Sequence, residues 1–217
     1  MEESALRQLR AQASREDYSS MARLAHALYE HGLSVPEVMR ECYGVDLPLE
    51  FVVLAEADLW RPGLLVVCTD QPWRLAVPLA RGGPVAAADP SDGVERKLLA
   101  LDPDLLPLAY TLGTKSPSWE NKEVLCYRLS ELAAGRPTVF RLWEKTTRRD
   151  KVKRRGDSLL AVLEELHLEE LRETEREMDD WDRGGEEELL QAARELVERV
   201  EELRRQVTAR EALQPGQ

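Results

Sequence analysis

The chain has 217 residues, 43% of them hydrophobic and 33% charged, with a formal net charge of −11. Five Trp, five Tyr and many Leu supply enough apolar surface for a packed core, which excludes a wholly disordered chain. The acidic balance repels phosphates and attracts basic partners, so it argues against nucleic acid as the main ligand and for a protein partner.

Residues 1–46 read as helical. Leu6, Leu9 and Ala13 share a face, and Tyr18, Met21, Ala22, Ala25 and Leu28 recur at helical spacing. Ser14 and Asp17 have the spacing of a capping box, and Gly32 stands where a C-terminal cap belongs. Ser34 opens a second helix with Pro36 in its first turn and Gly44 as its stop.

From Val45 to Lys145 the texture changes. Ten prolines between Pro48 and Pro137 exclude long helices. Short apolar runs stand between them: Leu64–Cys68, Arg74–Leu79, Leu106–Tyr110, Glu123–Leu129 and Thr138–Trp143. Gly and Asp punctuation separates these runs, so they predict an antiparallel sheet, with Phe51–Ala55 and Val94–Leu101 as helical pieces.

From Asp157 onward the helical pattern returns, interrupted at Gly184-Gly185. Leu160, Leu163, Leu171, Met178 and Trp181 give a loose stripe. Leu189, Ala193, Leu196, Val200, Leu203 and Val207 then step by fours and threes, the rhythm of a coiled-coil seam. Two helices could fold back on each other as a hairpin, or the last could pair with a second copy through 186–211. Between Glu164 and Gln217 there are 18 acidic and 8 basic residues, so nearly the whole charge excess lies there.

The chemistry-bearing residues form no catalytic or metal-binding pattern. His26, His31 and His167 have no Ser or Cys motif beside them, and Gly82-Gly83-Pro84 is too short for a phosphate loop. Cys42, Cys68 and Cys126 are far apart and lie among core-like residues, as structural thiols of a reducing compartment do. No apolar run is long enough for a membrane span, and the N-terminus is charged from Glu2, so a cytoplasmic protein is expected. No cofactor and no metal are expected. The run Lys145, Arg148, Arg149, Lys151, Lys153, Arg154, Arg155 is the sharpest local anomaly. It has no aromatics interleaved, and either the acidic tail or an external ligand could be its partner. Trp60, Trp73 and Trp119 sit beside Pro in or near predicted loops, and with Glu120 they are the candidate partner-binding residues.

Three segments carry a family resemblance. Tyr43-Gly44-Val45-Asp46-Leu47-Pro48-Leu49-Glu50-Phe51 resembles the helix-turn-helix entry of the SUKH superfamily. Leu105-Leu106-Pro107-Leu108-Ala109, then Glu123 to Leu129, then Pro137 to Glu144 is similar to three consecutive strands of that family. Asp157-Ser158-Leu159-Leu160-Ala161-Val162-Leu163-Glu164 resembles its Ser-capped closing helix. The loops Asp58–Gly63 and Gly113–Asn121 depart from the family pattern, so partner identity does not carry across. The resemblance implies an α+β domain over 33–167 with an antiparallel or mixed sheet and helices to one side. A helical segment 1–32 precedes it and an acidic helical extension 168–217 follows. It also implies a non-enzymatic role, commonly that of an immunity protein that neutralises a toxin domain, or of an adaptor. The expected function is therefore sequestration of a protein partner, such as a basic toxin domain, by steric occlusion. The alternative is an assembly protein that oligomerises through the C-terminal helix.

Overall fold

The computed structural model describes residues 3–57, 66–86, 93–111, 123–180 and 186–213. Helix α1 (Glu3–Gln12) leads to α2 (Tyr18–Glu30). The cap of α2 is Asp17, whose side chain accepts the Ser19 N–H at 3.0 Å. Ser14 does not cap it. Its carbonyl accepts the Asp17 N–H at 2.9 Å and closes a tight turn, which leaves the carboxylate one residue from the helix as the better-placed acceptor. Helix α3 (Val35–Tyr43) opens at Ser34 as expected and adds a capping box there, the Glu37 carboxylate accepting from the Ser34 N–H at 2.7 Å. It closes on Gly44 at φ 72°, the left-handed conformation that glycine adopts without steric cost. Helix α4 (Leu49–Glu56) buries every residue from Glu50 to Ala55, as a helix apolar all round should.

Strand β1 (Val66–Cys68) follows. The strand expected over Arg74–Leu79 is instead two 3-10 turns, Trp73–Ala76 and Leu79–Arg81. Pro72 and Pro78 deny a sheet two ladder donors there, and the Pro72 carbonyl accepts the Leu75 and Ala76 N–H groups locally. Helix α5 (Gly93–Leu101) precedes β2 (Leu105–Thr111) and β3 (Glu123–Arg128). A short helix α6 (Leu129–Ala133) then leads to β4 (Val139–Trp143) and β5 (Lys153–Gly156). The five strands form one antiparallel meander in the order β1-β2-β3-β4-β5.

One sheet face, with Leu106, Ala109, Leu125, Tyr127 and Val139, lies in the main core beneath residues of α2, α4 and the following helices. The other face carries Leu105, Tyr110, Val124, Cys126 and Leu142, packed with Leu98 of α5. Most of the helices therefore lie to one side, and α5 covers the other. The fold is α+β.

The chain ends in α7 (Leu159–Asp180) and α8 (Glu186–Leu213), which pack as an antiparallel hairpin. Arg204 donates to Glu164 and Arg194 lies 3.8 Å from Glu175, so the partner number falls as the residue number rises. Of the seam residues, Ala193, Val200 and Leu203 are buried, whereas Leu189 is 65% exposed. Leu6 and Leu28 near the start and Val200 and Leu203 near the end join the same core as the sheet. Trp181 and the hinge glycines Gly184 and Gly185 lie outside the described residues. Among the described residues no helix is long and apolar enough to cross a membrane.

Candidate functional site

Of the four candidate anchors, the structure describes one. Trp73 is 2% exposed, its ring stacked on Phe51 at 4.5 Å and its Nε1 donating to the Leu108 carbonyl at 2.6 Å. It is a core residue with no face left for a partner, because the turn after Pro72 points the indole under the sheet. Trp60, Trp119 and Glu120 lie outside the described residues.

The reactive side chains are absorbed by the fold. Burial pushes the thiols of Cys42 and Cys68 up to about 12, and that of Cys126 up as well, so none is a thiolate at neutral pH. His167 is 1% exposed, with Nδ1 2.5 Å from the Leu163 carbonyl, and burial lowers its pKa. His26 lies on the surface 3.8 Å from Glu30. Among the described residues no three His, Cys, Asp or Glu side chains are placed to hold a metal ion.

Two buried polar networks tie distant segments together. Glu50 of α4, 6% exposed, accepts the Tyr127 hydroxyl at 2.8 Å and the N–H groups of Leu159 and Leu160 at 2.8 and 3.1 Å. A carboxylate thus sits at the start of α7, where unpaired backbone donors and the helix dipole favour negative charge. Arg15 makes the second tie, donating to the carbonyls of Pro103 and Leu105, its guanidinium 5.8 Å from the Tyr43 ring centroid. Gln71 joins it, donating from its side chain to the Arg15 carbonyl at 3.3 Å and from its main chain to Glu95 at 2.8 Å. Sequence reasoning missed both networks. Glu50 lies in an apolar helix, which is the available signal, but its partners are 77 to 110 residues away.

Among the described residues three surface regions are open to a partner. A cleft of about 460 Å³ opens between α2 and the segment after Gly82, floored by Ala22, Ala27 and Pro84 and rimmed by Arg23 and His26. Val85 beside it is 69% exposed. The outer surface of the α7–α8 hairpin displays carboxylates, among them Glu187, Glu188, Glu195, Glu198 and Glu201, all exposed. The turn between β4 and β5 displays the basic run. There Arg148 pairs with Asp150, Arg154 with Asp157 and Arg155 with Glu165 of α7. Arg155 therefore reaches the first half of α7, ahead of the extension at 168–217, while Arg148 and Arg154 pair locally.

Compared with known proteins, the chain matches no family model, no curated protein and no solved structure.

Proposed function

We propose that the chain is a non-catalytic protein of immunity or adaptor type, which sequesters a basic protein partner by covering its working surface. The observation that carries this reading is how α8 is used. Val200 and Leu203 of its seam are buried inside the chain's own core, so the seam is already occupied and α8 turns its carboxylate face outward. A rod of exposed Glu attracts a cationic surface from a distance and speeds encounter more than it deepens affinity. The same burial weighs against the alternative, in which that seam pairs with a second copy. The SUKH resemblance supports the reading through β2, β3 and β4, which carry most of it and are neighbours in the sheet. Three free, buried or half-buried cysteines accord with a cytoplasmic setting.

The test is capture of a partner from the native cytoplasm by the whole protein and by a variant with Glu187, Glu188, Glu195 and Glu198 changed to Gln. One stoichiometric partner held by the wild type, released at high salt and poorly retained by the variant, is the expected result. Equal retention by both proteins would remove the hairpin from the interface. A stable dimer of the bait alone, unchanged by salt, would favour the assembly reading.

A further inference from the structure

We propose that the β4–β5 rim binds single-stranded nucleic acid, with Lys and Arg on the phosphates and a base stacked on Trp143. This goes beyond the proposed protein-sequestering role and uses the opposite charge. Between Arg141 and Arg155 there are eight basic and two acidic residues, in a chain whose net charge is −11. The basic residues Arg141, Lys145, Arg148, Arg149, Lys151, Lys153 and Arg154 are all exposed. Arg148 pairs with Asp150 within the rim and Arg154 with Asp157 beside it, so these two are held locally and not by α7 or α8. Arg155, which bonds Glu165, sits at the irregularity beside Val139, at the end of β5 remote from the turn. Trp143 lies four residues along β4 from Val139, about 13 Å away at strand spacing.

The acidic balance of the whole chain argues against nucleic acid, and the basic run itself holds no aromatic residue. The strand supplies one just before it. Trp143 is 56% exposed, and its backbone is fixed by pairing opposite Glu123 and by the Thr146 N–H, which donates to the Trp143 carbonyl at 2.8 Å. Side chains two apart on a strand share a face, so Arg141 stands beside Trp143 on that surface, and Lys153 is the cross-strand partner of Arg141. Glu123 orients the Arg141 guanidinium at 2.9 Å. An exposed indole flanked by cations on a fixed strand is a stacking platform with phosphate ligands. Stacking of this kind tolerates any base, but it needs a base free of its own partner strand. The helix end that meets the rim is the C-terminus of α5, where the Leu101 carbonyl accepts from Arg149, and a helix C-terminus disfavours phosphate, so a single strand lying along the strand pair is the form that fits.

The test is fluorescence anisotropy with the full chain and labelled oligothymidylate and oligouridylate of about 12 nucleotides, a length within the range of single-strand sites. With about four phosphates neutralised, a fourfold rise in salt weakens binding about 50-fold. Trp143→Ala should weaken binding about 5- to 150-fold at fixed salt, and Trp143→Phe should recover most of it. Lys151→Gln with Lys153→Gln should lower the slope of log affinity against log salt by about 1.4. Both changes are at exposed positions, and an unchanged circular dichroism spectrum checks the fold. Equal binding of the two oligomers places recognition on base and phosphate, whereas preference for uridylate adds the ribose hydroxyl. No binding to either oligomer at low salt overturns the proposal. So does tighter binding of duplex DNA. Displacement by polyglutamate with no effect of Trp143→Ala overturns it in favour of an acidic protein segment.

Discussion

Replacing Glu50 by Gln should cut deeper into stability than any comparable change on the surface. The carboxylate serves three buried donors at 2.8 to 3.1 Å: the Tyr127 hydroxyl and the N–H groups of Leu159 and Leu160. Gln keeps one oxygen, which can still accept from Tyr127 and Leu159. It then turns an NH2 towards the Leu160 N–H, so two donors face each other and the charge at the start of α7 is lost. A hydrogen bond to a charged group contributes about 1.5–3 kcal/mol and a stranded buried donor costs about 1–3 kcal/mol, so a loss of about 2 kcal/mol is expected for Gln. Glu50→Ala, which strands all three donors, should cost about 3–5 kcal/mol. Tyr127→Phe removes one donor together with its need for a partner and should cost about 1 kcal/mol. In urea, with a slope of about 2 kcal/mol per molar, Glu50→Gln moves the unfolding midpoint down by about 1 M. Amides of the first turn of α7 should also exchange faster than those of its middle. A midpoint within about 0.2 M of wild type, at that same slope, would refute the claim that this carboxylate holds α7 to α4.

Four further outcomes follow from the same structure. Burial lowers the His167 pKa below its ordinary 6.5, so the unfolded chain binds the extra proton first as pH falls. Stability from this group is complete above about pH 6.5 and declines below it, and His167→Leu should flatten that slope in urea midpoints measured from pH 7.5 to about 5.5. The thiols of Cys42, Cys68 and Cys126 should be nearly silent to a disulfide reagent at about pH 8 in the folded protein and all react in guanidinium; rapid native labelling would contradict their raised pKa values. Gly44→Ala places a Cβ at φ 72° and should cost about 1 kcal/mol by urea unfolding, with nothing nearby to add a clash. Gly156→Ala brings a Cβ to 2.6 Å from the buried Val162 side chain and should cost about 1–3 kcal/mol by the same assay.

The elements that were readable in sequence are those whose signals are local. α3 announces itself through Ser34, Pro36 and Gly44, all within eleven residues, and the structure uses each of them. β2 and β3 are buried along nearly their whole length and read as continuous apolar runs between turn residues. Arg74–Leu79 misleads because Leu75, Val77 and Leu79 alternate like a strand, although Pro72 before the run and Pro78 within it carry no N–H for a ladder. β5 is hidden for the opposite reason. Lys153-Arg154-Arg155 has no apolar alternation, yet an edge strand tolerates such residues because one side faces water. Trp73 and Trp143 show the limit for site residues. Trp73 follows a proline at a turn and Trp143 ends a strand, and neither setting tells in advance that the first is 2% and the second 56% exposed.

Helix α4 has a bearing on how the chain reaches this state during synthesis. Both feet of the C-terminal hairpin stand on its eight residues: Glu50 holds the start of α7, and Glu56 accepts from Arg210 of α8 at 2.5 Å, 154 residues further along. At about 5–20 residues per second, Glu56 leaves the ribosome roughly 8 to 30 s before Arg210 does. For that interval α4 has its apolar surface but not its cover, and its inward carboxylate has no helix start to meet. The first half of the nascent chain is therefore the stage most exposed to aggregation and to chaperone capture. A ribosome pause or truncation between Gly156 and Val200 would prolong that stage.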